Sequence, residues 1–303
     1  MKQHTKIIIN PAAGSFATYR KWPHISQLLR EQGLKFDFQH TEGVGHAIEL
    51  ARDATNNGYN YLVAVGGDGT ANEVANGILD TEFSEISSMG IVNTGTGSDF
   101  TRSIHLPRDY TLACPFITGL TRMKIDVGLA EFSKDGKKIS RYFINAAGIG
   151  FDAEVAHSVR RLSHRMGGTI PYLLGLVRKL FSYTNKDIIL EIDNRKEERR
   201  VLSVVVANGR YFGGGMKVAP MADLSDSLLD VLTVGDFGKF ELVRAFPRIY
   251  KGTHINHPKV RAEKANKVTV SSVDKLLIQA DGEILGEGPV TFRLLPAALS
   301  IAV

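Results

Sequence analysis

Apolar residues in the first part of the chain fall into short runs separated by stretches of helical spacing. Lys6–Asn10, Lys35–His40, Tyr61–Val65 and Met89–Val92 read as strands. Between them lie Trp22–Gln32, closed by Gly33, and a segment opened by Gly43-Val44-Gly45. That segment carries Ile48, Leu50, Ala51 and Ala54 before Gly58. Ala71, Val74, Ala75, Ile78 and Leu79 follow the third run at three- and four-residue intervals, the spacing of one buried helix face. The β-α-β-α-β order predicts a parallel sheet with helices on both faces. Beyond about Ile125 the texture changes. Arg141–Ala146, Ile188–Ile192, Val201–Ala207, Leu229–Val234, Val268–Ser271, Leu276–Ala280 and Val290–Leu294 are short β-prone runs. Turn signals or charged segments such as Asn194-Arg195-Lys196-Glu197-Glu198 separate them. The expected fold class is α/β: an N-terminal doubly wound, parallel-sheet nucleotide-binding domain at 1–125, then a C-terminal, mainly antiparallel β-sandwich domain at 126–303. The last strand is free to return to the first domain.

In such parallel sheets ligands bind beyond the carboxyl ends of the strands. Four loops are expected there: Asn10–Gly14, Thr41–His46, Gly66–Thr70 and Asn93–Asp99. Gly66-Gly67-Asp68-Gly69-Thr70 lies between a strand and a helix, where bare backbone N–H groups and a helix N-terminus suit phosphate. Asp68 in its middle suggests a divalent cation, or a water that orients one. Alone, the pentapeptide also reads as an ordinary glycine turn. The chain has no G-x-x-x-x-G-K-[ST], no G-x-G-x-x-G and no His-Arg-Asp triplet.

Composition narrows the setting. The chain has 303 residues, 43% of them hydrophobic, enough for two cored domains. No apolar stretch is long enough to span a bilayer, and Met1–Lys6 runs into Ile7–Ile9 without the apolar region of a signal peptide. Cys114 is the single cysteine, so an internal disulfide and cysteine-rich metal sites are excluded and a reducing cytoplasm is expected. The net charge of +5 favours an anionic partner: nucleic acid, anionic membrane or nucleotide. No Asp or Glu occurs between Glu154 and Asp187, whereas Arg160, Arg161, Arg165, Arg178, Lys179 and Lys186 do. Within that stretch Ile170–Phe181 is rich in large apolar residues and reads equally as a membrane-surface segment or as a buried helix with a solvated basic edge.

The ordered set of motifs resembles the diacylglycerol-kinase-type catalytic family, which includes bacterial soluble lipid kinases and eukaryotic sphingosine and ceramide kinases. The motifs are Asn10-Pro11-x-x-Gly14, Thr41 with Gly45-His46-Ala47, Gly66–Thr70, and Gly95-Thr96-x-x-Asp99-Phe100. Asn145-Ala146-Ala147-Gly148-Ile149-Gly150-Phe151-Asp152, Ala207-Asn208-Gly209, Gly213-Gly214-Gly215-Met216 and Asp281-Gly282-Glu283 complete the series. The resemblance implies ATP bound between the two domains and contacted by Asn10, Pro11, Ala12, Ala13, Gly14, Thr41, Gly66, Gly67, Asp68, Gly69, Thr70, Ala71, Asn72, Thr96 and Glu283. It implies Mg²⁺ organised by Asp68, Asp99 and Asp126, although Asp126 alone also reads as a charged residue at a strand end. Asp281 is implied as general base; without the resemblance, Asp-Gly-Glu after a strand is an ordinary hairpin turn. A structural Mg²⁺ is implied on Asp226, with the carbonyls of Asp223 and Leu228. There Ser225 and Ser227 replace the family's Asp and Gly, and Ser98 stands where the family usually has Asn.

The implied activity is transfer of the ATP γ-phosphate to a lipid hydroxyl, with diacylglycerol as default acceptor. The implied partners are a lipid at a membrane surface and an anionic phospholipid, not nucleic acid; a homodimer paired through edge strands stays open. The implied location is cytoplasmic, peripheral to the inner face of the membrane. Two other functions compete: a NAD-kinase-like enzyme, which shares the Gly-Gly-Asp-Gly core, and a non-catalytic ATP- or lipid-binding regulator. His46 is expected to pack or hydrogen-bond near the nucleotide, and Trp22 to sit in the core.

Overall fold

The computed structural model describes residues 3–163, 180 and 182–303. Apart from Leu180, the basic apolar segment Ile170–Phe181 lies outside them. The chain forms two compact units, Met1–Val127 with Pro296–Val303, and Gly128–Leu295.

The first unit follows the expected alternation: β1 (Thr5–Ile9), α1 (Ala13–Glu31), β2 (Phe36–His40), α2 (His46–Asn56), β3 (Tyr61–Gly66), α3 (Asp68–Leu79), β4 (Ser88–Asn93), α4 (Asp99–Ser103) and α5 (Tyr110–Thr118). The strands lie parallel in the order β2-β1-β3-β4. The apolar runs of β1, β3 and β4 are continuous because both faces are covered, whereas β2, at the edge, is largely exposed. Ile7, Ile9, Val63 and Val65 join Trp22, Ile25 and Leu29 of α1 and Cys114 and Ile117 of α5 in one core. The alternate residues Ile8, Leu62 and Ala64 are equally buried on the opposite face, where α2 and α3 pack together. The connections from β1 and β3 leave the sheet in opposite directions, so the chain reverses between these neighbours. Their carboxyl ends form the crevice in which such sheets take ligands.

α1 begins well before the expected Trp22. Gly14, Ser15 and Phe16 have φ of 61°, 55° and 64°, so its first turn is left-handed, and the polar run to Lys21 then continues as ordinary helix. Periodicity could not show this, because residues 14–21 present no apolar stripe.

The second unit is built from β5 (Arg122–Lys134, which starts in the first unit), β6 (Lys137–Phe143), β7 (Ala146–Gly150), α6 (Phe151–Ser163), β8 (Lys186–Ile192), β9 (Arg195–Val201), β10 (Ser203–Ala207), β11 (Leu229–Val234), α7 (Lys239–Ala245), α8 (Arg248–Lys251), β12 (Val260–Ala265), β13 (Lys267–Ser271), β14 (Leu277–Ala280), β15 (Glu283–Glu287) and β16 (Val290–Ala302). One sheet runs β12-β11-β10-β7-β14-β15 with every pair antiparallel. The other has β9, β8, β13 and the start of β16, with the β5–β6 hairpin. Residues of both sheets share one core, including Phe132, Phe143, Val204, Val206, Leu190, Val268 and Phe292, which makes this unit a sandwich. Val205, Ala207 and Leu232 alternate to the outer face of the six-stranded sheet and build a second cluster with Met216 and Val218.

Two readings need correction. The charged segment Asn194–Glu198, expected as a separator, supplies the start of β9. Its alternating Arg, Lys and Glu suit an edge strand, where charge discourages pairing with other chains. The expected strand Arg141–Ala146 is the end of β6 and the start of β7, broken at Ile144-Asn145. After Leu295, β16 returns to the first unit, where Ser300 and Ile301 pair in parallel with Ser88 and Met89.

Candidate active site

In the first unit the small residues at the strand ends allow close loop packing. A Cβ on Gly14, which has φ +61°, would stand 2.4 Å from the Thr94 carbonyl oxygen, and one on Gly95 would stand 2.6 Å from Gly67 Cα. Asn10 ties two loops together. Its Nδ2 donates to Thr70 Oγ1 at 3.1 Å, and its Oδ1 accepts the Ala12 N–H at 3.1 Å. Thr94 and Gly95 both donate their N–H groups to the Gly66 carbonyl, at 2.8 and 3.3 Å. Thr41 follows β2 and is buried; its N–H donates to the Ile9 carbonyl at 2.8 Å. Thr70 and Asn72 are buried on α3, while Ala12, Gly69 and Thr96 are exposed. His46 makes a local bond, its Nδ1 accepting the Glu42 N–H at 3.0 Å. Sequence reasoning missed Glu73, whose carboxylate accepts the Gly45 and Ala47 N–H groups at 3.0 and 3.2 Å and so caps α2.

Asp68 opens α3 and reaches across to α4. Its carboxylate accepts the N–H of Asp99 at 3.1 Å and of Phe100 at 3.2 Å. Burial pushes its carboxyl up from the usual range, while these amides, that of Ser98 and the Arg102 charge pull the other way. Asp126 lies within β5, is 2% exposed, and accepts the Ala297 N–H at 2.7 Å. Among the described residues no three His, Cys, Asp or Glu side chains gather as a metal-ligand group. The donors therefore do not form an all-protein cage. They suit the other way Mg²⁺ is held, by one or two carboxylates together with waters and substrate phosphates.

In the second unit Asp281 follows β14 with φ +46°. Three backbone amides converge on its carboxylate: Oδ2 accepts from Ile144 at 2.8 Å, and Oδ1 from Asn145 at 3.1 Å and Ala146 at 2.8 Å. Its own N–H donates to the Ala146 carbonyl at 2.8 Å. The break between β6 and β7 thus exists to present these amides, and it fixes the carboxylate. Glu283, two residues on, is paired with Arg141 at 2.6 Å. Arg141 carried no sequence signal.

The loop expected to hold a structural Mg²⁺ closes on itself. Asp223 Oδ1 accepts from the Ser225 N–H and hydroxyl at 3.0 and 2.8 Å, and Asp226 Oδ1 accepts the Leu228 N–H at 3.0 Å. Ser227 keeps the left-handed conformation, φ +61°, that a glycine would adopt freely. The Lys264 ammonium is bonded to the other Asp226 oxygen and to Asp230, the latter at 3.2 Å. A divalent ion beside that ammonium would meet like charge on a carboxylate already neutralised, so Asp223, Asp226 and Leu228 do not fit one here.

The outer face of the six-stranded sheet, with α6, α7 and α8, encloses a cavity of about 140 Å³. Its wall is almost wholly apolar, including Val155, Leu202, Met216, Leu242 and Phe246. Asp152, in the first turn of α6, is the carboxylate among the lining residues. Ser203 Oγ and Gln279 Nε2 both donate to it, the latter at 3.0 Å. Burial pushes its carboxyl up from the usual range despite these donors. Sequence reading quoted Asp152 within a motif and assigned it no role.

The first unit thus offers a crevice of the kind that takes nucleotides, and the second a pinned carboxylate and an apolar cavity. The diacylglycerol kinase catalytic domain family matches residues 4–130, and the YegS C-terminal NAD kinase beta sandwich-like domain matches residues 145–303. A diacylglycerol kinase of Staphylococcus carnosus is 31% identical over 99% of this chain and 95% of its own length. A diacylglycerol kinase crystal structure from Bacillus anthracis superposes at TM-score 0.74 with 20% identity, covering 99% of this chain and 96% of that one, which speaks for the fold. Yeast NADH kinase shares the fold more distantly, at TM-score 0.53 and 9% identity over 99% of this chain and 83% of that one. The chain belongs to the diacylglycerol kinase family of lipid kinases. Among the described residues no helix is long and apolar enough to cross a membrane.

Proposed function

We propose that the protein transfers the γ-phosphoryl group of ATP to the free hydroxyl of diacylglycerol, giving phosphatidic acid and ADP. The apolar cavity of the second unit carries this reading. It suits an acyl chain and offers nothing to the phosphates of a dinucleotide, which favours a lipid over NAD as the acceptor. On this reading the loops Asn10–Gly14, Gly66–Asn72 and Thr94–Ser98, with Thr41, take the nucleotide, their close packing bringing backbone N–H groups against phosphate.

Asp281 accepts the acceptor hydroxyl's proton as the oxygen bonds to the γ-phosphorus and the bond to the β–γ bridging oxygen breaks. The three amides that fix it hold the carboxylate in position, and phosphoryl transfer asks mainly for positioning. Mg²⁺, when bound, neutralises charge on the β- and γ-phosphate oxygens; Asp68, with Asp99, would hold it and its waters. Glu283 acts as part of an ion pair with Arg141, whose guanidinium is the group there able to attract phosphate. An acceptor that stays in the bilayer puts the enzyme at the inner face of the membrane.

Incubation with γ-labelled ATP, Mg²⁺ and mixed micelles of diacylglycerol, monoacylglycerol, sphingosine or ceramide, with NAD in parallel, tests this. Label is expected in diacylglycerol. Label in NAD alone overturns the proposal, and ATP binding with no label anywhere favours a regulator.

A further inference from the structure

The short helical segment α7–α8 presents two apolar faces. Inward, Leu242, Ala245, Phe246 and Ile249 wall the cavity. Outward, Phe240 is 90% exposed, Tyr250 52% and Val243 48%. Three large apolar side chains left in water within eleven residues are costly unless something covers them.

The charges around them say what. Arg244, Arg248 and Lys251 are exposed and make no ion pair among the described residues. Lys239 is exposed on the same segment. The segment's one acid, Glu241, is occupied: Lys259 pairs with it at 2.6 Å, and it accepts the Gly238 N–H at 3.2 Å. The surface is therefore aromatic and aliphatic groups beside three cations, Arg244, Arg248 and Lys251, whose counter-charges must come from elsewhere. An anionic lipid surface supplies both halves, hydrocarbon for the rings and phosphate for the cations. A protein groove would satisfy the first and leave the cations unexplained. The inward face strengthens the choice, since Phe246, which walls the cavity, stacks edge-on with outward Tyr250 at 6.2 Å between centroids. One thin wall thus has the cavity on one side and this surface on the other.

We propose that α7–α8 is the face by which the enzyme docks on anionic phospholipid, with Phe240, Val243 and Tyr250 entering the interface and Arg244, Arg248 and Lys251 contacting headgroup phosphates. The link to the cavity rests on the acyl reading given above; the docking itself does not. Flotation with vesicles of phosphatidylcholine alone, and of phosphatidylcholine mixed with phosphatidylglycerol, reads it without any turnover. The native protein binds the mixed vesicles and hardly binds neutral ones. Phe240→Asp, and separately Arg248→Glu with Lys251→Glu, each lower binding to mixed vesicles by about tenfold or more, as the loss of an inserted ring or the reversal of two basic charges at an anionic surface requires. Both variants melt with the native protein. Both keep native turnover on monomeric dihexanoylglycerol and lose it on diacylglycerol in vesicles. Vesicle binding within twofold of native in both variants overturns the proposal. So does a concentration-dependent dimer that Phe240→Asp abolishes, which would assign the face to a second copy of this chain. Loss of vesicle binding with no lipid phosphorylated by any form would keep the docking face and overturn the acceptor instead.

Discussion

Asp281 is held by the backbone of three consecutive residues, and that changes what its substitution reports. Asn has the same shape but must turn an NH₂ group towards at least one of the Ile144, Asn145 and Ala146 amides, so a donor meets a donor. Asp281→Asn is expected to abolish transfer, leave ATP affinity nearly unchanged, and cost about 1–3 kcal/mol of stability as an unsatisfied polar group. Melting curves beside single-turnover assays check this. Normal turnover ends the general-base assignment, and an unchanged melting temperature ends the account of the amide cradle. Gly95 offers a separate test in the first unit. Its missing Cβ faces the Gly67 backbone, which cannot rotate away as a side chain would. Gly95→Ala is expected to push the two loops apart, cost about 1–3 kcal/mol of stability, and weaken ATP binding about tenfold, as titration calorimetry would show. The glycines were legible in the sequence because each is a visible exception. Their partners were not, since a carbonyl or a Cα belongs to every residue.

At the scale of single elements, the loop Asp223–Leu228 shows what a resemblance can and cannot carry. Its Asp residues were legible, but the cation facing them was not: Lys264 comes from β12, thirty-eight positions after Asp226. Nothing distinguishes it in the sequence from any other lysine of an edge strand. We expect the melting temperature of the ATP-free protein to be the same in Mg²⁺ and in EDTA. Lys264→Met should lower it, since Asp226 and the largely buried Asp230 then lack their counter-charge, and added Mg²⁺ should restore part of the loss. Calorimetric titration of the native protein that shows a tightly bound Mg²⁺ would reverse this account. Element types were most legible where the apolar pattern had one reading. The parallel strands β1, β3 and β4 announced themselves as continuous buried runs. β9 did not, because an edge strand defended by charge has the composition of a linker.

At the scale of the whole molecule, the parallel order of the first half was legible and a return of the last strand to the first unit was foreseen, but the course of that strand was not. β16 was visible only as Val290–Leu294. Pro296 and the left-handed Ala297, φ +49°, interrupt the pattern, and a proline normally ends a strand reading. Asp126 accepts the Ala297 N–H at this irregularity, and the strand continues beyond it. Leu299, Ile301 and Ala302 are 0–1% exposed, and Ala302 belongs to the core of α1 and α5. Burying a leucine and an isoleucine contributes about 3–6 kcal/mol together, a large share of the 5–15 kcal/mol that holds a typical domain. Without them β4 would also become an open edge between two apolar faces. Residues 1–127 expressed alone are therefore expected to show no cooperative melt and to aggregate. Joining residue 127 to residue 296 by a short linker should restore a cooperative transition, because Asp126 and Ala297 already lie within 2.7 Å of each other through their hydrogen bond. If the bare fragment melts cooperatively at the temperature of the joined one, the last strand is an accessory and the burial argument fails.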